Sequence, residues 1–160
     1  MSGLMQLLQH NAFTNLLNNI GWLYATFAVI HYFSMFILIG TIVLLDLRIL
    51  GVAARNQGVA QLAETLSPWT WSALFFALLS GFTMFTTDAT DFFPDIVFRV
   101  KMVVLLLAIV FTIVVQRNVP QWDRSPAISA GAKILALVSL VLWLGTILAG
   151  VEIAAISGLG

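Results

Sequence analysis

Residues 24–45 read YATFAVIHYFSMFILIGTIVLL, and Asp46, Leu47 and Arg48 follow directly. An apolar run of about 20 residues is long enough, as a helix, to cross the hydrocarbon core of a bilayer. Within this run His31 is the one side chain that titrates near neutral pH. An ionisable group inside a membrane span is costly to bury, which makes it a candidate functional residue by default. The reading of the remaining chain turns on what surrounds His31.

The composition points the same way. Of 160 residues, 61% are hydrophobic and 9% charged, with a mean hydropathy of +1.03. A soluble domain carries roughly 25% charged residues, so an integral membrane protein is expected. Seven basic and seven acidic residues give zero formal net charge, which excludes a broad basic patch and nucleic acid as a partner. The absence of cysteine excludes disulfides, iron–sulfur clusters, thiolate zinc sites and a cysteine nucleophile. With only two histidines, His10 and His31, a multi-histidine metal cage is excluded too. The expectation is a protein that is not an enzyme by itself.

Four apolar segments divide the chain, at about 22–45, 69–87, 96–115 and 132–151. Trp22, Trp69, Trp71 and Trp122 mark segment edges, where indole rings suit the headgroup region. Pro68, Pro94, Pro120 and Pro126 are assigned to the connections or their borders, so none is expected to break a span. Residues 1–21 form an interrupted amphipathic pattern and are read as a short segment lying at the membrane surface. The link 51–67 has the composition of a surface helix ahead of Pro68. The fold class is therefore all-α, a single transmembrane domain over 1–160 built as a four-helix bundle.

Arg48, Arg55, Arg117, Arg124 and Lys133 fall on one side of this bundle, and Arg99 and Lys101 on the other. The excess of basic residues places the first and third connections in the cytoplasm and both termini in the periplasm. The expected location is a bacterial inner (plasma) membrane, multi-pass. Its partners are the lipid bilayer and further copies of the chain or other membrane subunits. Asp88, Asp91 and Asp95 read as a solvated acidic cap, with a hard-cation site as the alternative.

Helical spacing aligns polar and small residues into stripes. They comprise Ser72, Phe76, Ser80, Thr83 and Thr87 on the second span, and Lys101, Leu105, Ala108, Thr112 and Gln116 on the third. The fourth span carries Ser139, Trp143, Thr146 and Gly150, and on the first His31 lines up with Phe27, Ser34, Met35 and Leu38. Such faces turn toward partner helices rather than lipid. By depth, His31, Met35, Thr83, Met84, Lys101, Met102 and Glu152 all reach the outer third and are candidates for one pocket. Asp46 and Arg48 are assigned a structural role, an ion pair with a neighbouring loop that anchors the helix at its cytoplasmic end.

The stretch HYFSMFILIGTIVLLDLRILG (31–51), then LSPW (66–69), SGFTMFTTDA (80–89) and FRVKM (98–102), resembles an uncharacterised family of small bacterial four-helix inner-membrane proteins. The DLRxLG and FxxK elements are the most specific parts. More distantly the chain is similar to copper-resistance D-type and cytochrome-b-type membrane proteins and to HemJ-like haem-biosynthesis oxidases. Several of these hold a b-type haem between histidines.

That resemblance implies haem b as cofactor, with His31 as the iron ligand. Met84, Met102 or Met35 would be the second axial ligand, or His10, or His31 of a second copy. Arg99 and Lys101 would pair with propionates. The expected function is a haem b- or quinone-associated electron-transfer subunit using His31. The alternative is a non-catalytic accessory or scaffold subunit of a larger membrane complex, with no cofactor.

Overall fold

The computed structural model describes residues 12–87, 89–124 and 128–157, together with 3, 6 and 7, but not the side chains of 12, 13, 18, 91 and 151–157. His10 and the side chain of Glu152 lie outside the described residues. The helices are α1 (Ala12–Asn19), α2 (Gly21–Leu50), α3 (Val59–Thr87), α4 (Ala89–Phe92), α5 (Ile96–Asp123) and α6 (Ala130–Ser157). Among the described residues there is no strand. Four of the helices are long and apolar enough to cross a membrane. They pack in a ring in the order α2, α3, α5, α6, with α2–α3 and α5–α6 the most extensive pairs.

Several helix ends have an identifiable cause. Gly51 stops α2 in the left-handed region at φ 79°, its N–H returning to the carbonyls of Leu47 and Arg48; glycine adopts this conformation without a Cβ penalty. The start of α3 is capped from across the bundle. Oδ1 of Asp123, the last residue of α5, accepts from Val59 N at 2.9 Å and Ala60 N at 3.3 Å, satisfying amides that no helical carbonyl reaches. Asp95 caps α5 through Val97 N at 2.6 Å, and Ser129 caps α6 through Ala132 N at 3.2 Å.

Two sequence expectations change here. The link ahead of Pro68 is not a separate surface helix but the first turns of α3, and Pro68 and Pro120 lie inside α3 and α5. Proline removes one intrahelical bond, in α3 the one to Glu64. Glu64 and Pro68 both lie on the exposed side of the helix, where the freed carbonyl is not sealed in the core. In addition, α1 does not only skim a surface: Thr14 and Leu17, one turn apart, are 0% and 1% exposed.

The interior alternates along its length. One apolar cluster joins Leu45 and Ile49 of α2 with Val59, Leu62 and Ala63, Val115 and Val119, and Ala132 and Ala136. A second joins Leu38 and Ile42 with Ala73, Leu74, Ala108 and Trp143. Between them lie Thr41, Asp46, Thr70, Thr112, Gln116 and Ser139. Beyond the second cluster, toward the amino-terminal end of α2, lies His31.

Candidate functional site

His31 leans from α2 onto α3. Its Nδ1 lies 2.9 Å from the carbonyl oxygen of Ala77 and 3.2 Å from Oγ of Ser80. A carbonyl only accepts, so Nδ1 carries the proton. Ser80 Oγ donates its own proton to Phe76 O, so it too accepts from His31. The N–H is shared between the two oxygens, and in the neutral ring Nε2 keeps a bare lone pair. This contact exists because residue 81 is glycine: a Cβ there would lie 2.9 Å from Cε1 of His31. The Tyr32 ring meets the imidazole edge-on with centroids 6.0 Å apart.

Only part of the expected pocket assembles. Lys101 is close enough to His31 to interact with it electrostatically, and its Nζ lies 3.4 Å from where a Cβ of Gly150 would be. The lysine therefore lies across α6 rather than extending straight out. Arg99 is exposed and tied to Phe93, donating from Nε to Phe93 O at 3.0 Å with its guanidinium 5.6 Å from the ring centroid. Met102 is 39% exposed, Met84 and Met35 are half-buried, and Thr83 donates to Leu79 O within its own helix. Ala77, Ser80 and Gly81 are the partners of His31 that sequence reasoning did not assign to it. The adjacent Ser-Gly pair, small enough for close helix approach, was the available signal.

Asp46 and Arg48 separate completely. Arg48 donates from Nε to Gln57 O at 2.7 Å, closing the turn after α2. Asp46 points the other way and is 2% exposed. Among the described residues no ion pair anchors it: α2 runs a further turn to Leu50, and an apolar cluster lies past the carboxyl. Ser139 faces it from α6, near enough to interact but without hydrogen-bond geometry: Asp46 Oδ2 and Ser139 Oγ both lack a partner among the described residues. Around them Thr70 donates to Thr41 Oγ1 at 3.0 Å, Trp143 Nε1 to Thr112 Oγ1 at 3.0 Å and Trp71 Nε1 to Gln116 Oε1 at 2.9 Å. A cavity of about 10 Å³ remains at the centre, the volume of a single water site.

The sequence profile of a family of unknown function, DUF6644, matches residues 9–155. The chain belongs to that family. The match takes in all four long helices and both polar layers of this DUF6644 protein, so the layers are parts of the family domain rather than appendages to it. No curated protein and no solved structure matches the chain.

Among the described residues no group of three His, Cys, Asp or Glu side chains is placed to hold a metal ion. The chemistry available is therefore that of one oriented imidazole near an ammonium group, and of one buried carboxyl ringed by hydroxyls.

Proposed function

We propose that this chain is a multi-pass inner-membrane subunit of an electron-transfer assembly, in which Nε2 of His31 serves as ligand to a b-type haem or hydrogen-bonding partner to a quinone. The bond from His31 Nδ1 to Ala77 O supports this reading. A histidine that ligates a metal through one nitrogen characteristically donates its other N–H to a backbone carbonyl or carboxylate, which fixes the ring and raises its basicity. The excess of basic residues in the first and third connections supports cytoplasmic placement of those turns, with the termini outside.

The cavity at Asp46 gives no room for a porphyrin. Ligands of that size need a cleft of roughly 300 Å³ or more, whereas the cavity of about 10 Å³ lies at Asp46. The His31 ring edge is already filled by Gly81. A haem or quinone would therefore lie against the half-buried outer side of His31, completed by a second copy or another subunit. Bound there, it would supply the electron-carrying chemistry; the chain's own part is to orient the imidazole.

The closed interior equally favours the second reading, an accessory or scaffold subunit without a cofactor. Absorption spectra of protein purified in mild detergent, oxidised and dithionite-reduced, separate the two. Soret and α bands that vanish in His31→Ala support haem ligation. A flat spectrum, with no quinone in the lipid extract, would overturn the electron-transfer reading and leave co-purifying membrane proteins as the test of the scaffold.

A further inference from the structure

We propose that the cavity beside Asp46 is a binding site for one small alkali-metal cation. Oδ2 of Asp46 and Oγ of Ser139 are both buried and without a partner among the described residues, and both residues line the same space. A buried carboxylate without a counter-charge is strongly disfavoured, and no Lys, Arg or His lines the cavity.

Three of the hydroxyls around it have their protons committed. Thr41 donates its proton to Leu38 O at 2.8 Å and Thr112 donates to Ala108 O at 2.9 Å, while the one proton of Thr70 is shared between Leu66 O and Thr41 Oγ1, both at 3.0 Å. With these protons committed, and with Thr41 and Thr112 each accepting one bond, from Thr70 and from Trp143, each still has an oxygen lone pair for the cavity. Gln116 gives its carbonyl oxygen to Trp71 and acts as wall rather than ligand. The result is a ring of hard oxygens from all four long helices, a donor set that suits a hard cation. One carboxylate neutralises a monovalent ion, whereas a divalent ion would leave a buried positive charge. The space holds one water-sized particle. Sodium and potassium share this chemistry. The inference does not depend on His31, which is fifteen residues away on α2, about 22 Å at 1.5 Å per residue.

The test is thermal unfolding of the detergent-purified full chain in choline chloride, with sodium or potassium substituted at constant ionic strength. A ligand that binds only the folded state raises Tm with concentration, here by roughly 2–4 °C once it is several-fold above its Kd. A rise in sodium alone assigns sodium, and in potassium alone potassium. The rise should be absent in Asp46→Asn, reduced in Ser139→Ala and retained in His31→Ala. Ser139→Ala removes a hydroxyl without a partner, so it keeps the test usable if the Asp46 variant fails to fold. Equal Tm values in choline, sodium and potassium mean that the cavity holds water only and overturn the proposal. An undiminished rise in Asp46→Asn overturns it as well.

Discussion

Gly81→Ala places a methyl group 2.9 Å from Cε1 and 3.3 Å from Nδ1 of His31, a separation at which something must move. If the imidazole moves, it leaves Ala77 O and Ser80 Oγ, and a net hydrogen-bond contribution of about 1 kcal/mol is lost. If the helices separate instead, overpacking costs about 1–3 kcal/mol. Against either stands a gain: alanine in a helix interior is better than glycine by about 0.5–1 kcal/mol. The net expectation is destabilisation of up to about 2 kcal/mol in the wild-type background, the smaller values applying if the ring moves. In His31→Ala the obstructing ring is gone, and the same substitution should stabilise by about 0.5–1 kcal/mol. The sign reverses, with a coupling of about 2 kcal/mol between the two positions. The assay is a double-mutant cycle on reversible unfolding in a mild detergent. If Gly81→Ala has the same effect in both backgrounds, His31 does not pack on Gly81 and the geometry described for the site is wrong.

Three further outcomes follow from other contacts. Asp123→Ala should lower stability by about 1 kcal/mol and speed amide hydrogen exchange at Val59 and Ala60, whose N–H groups it leaves uncapped; unchanged exchange there refutes the cross-bundle cap. Trp143→Phe should cost about 1 kcal/mol or more through loss of the buried bond to Thr112, while Trp143→Phe in Thr112→Val should cost less, as read from the same unfolding curves. His31→Ala and Asp46→Asn should combine additively within about 0.5 kcal/mol, because the two side chains are far apart and share no partner; a larger coupling term refutes their independence.

The long helices were legible because each span is a near-continuous apolar run, and a helix is the structure that satisfies every backbone group in such a setting. Much of the packing seam was legible for a related reason. Ser34, Ser80, Thr83, Thr112, Ser139 and Thr146 are all buried, as their helical spacing predicts. Ser72 and Phe76 are instead exposed, and the α3 seam runs through Thr70, Ala73, Leu74 and Ala77. Spacing alone gives a face, whereas the tilt of one helix across its neighbour decides where that face turns away. Asp46 follows the last residue of the long apolar run and so reads as a helix-end residue, whereas it lies a turn inside α2 and is buried. Apolarity stops at Leu45, but α2 continues to Leu50 and its neighbours carry Ile49 inward. The signal that could have placed Asp46 was the recurrence of Thr41, Thr70, Thr112 and Ser139 at matching depth in the four spans.

The alternation of layers constrains what the bundle can do. A path for ions or protons needs hydrated or titratable groups that follow one another without a long dry gap. From the His31 layer to the Asp46 layer the interior passes through Leu38, Ile42, Ala73, Leu74, Ala108 and Trp143, all buried and packed together. Trp143 is 1% exposed and held in place by its bond to Thr112, so the largest side chain of the core closes the space directly beside the Asp46 cavity. Past Asp46 the other apolar cluster closes the opposite side. The Asp46 cavity is therefore closed along the bundle axis on both sides, and it opens laterally past half-buried Thr41 and Gln116. Of the two polar layers, the one at Asp46 is thus separated from the His31 end of the bundle by the packed Trp143 cluster.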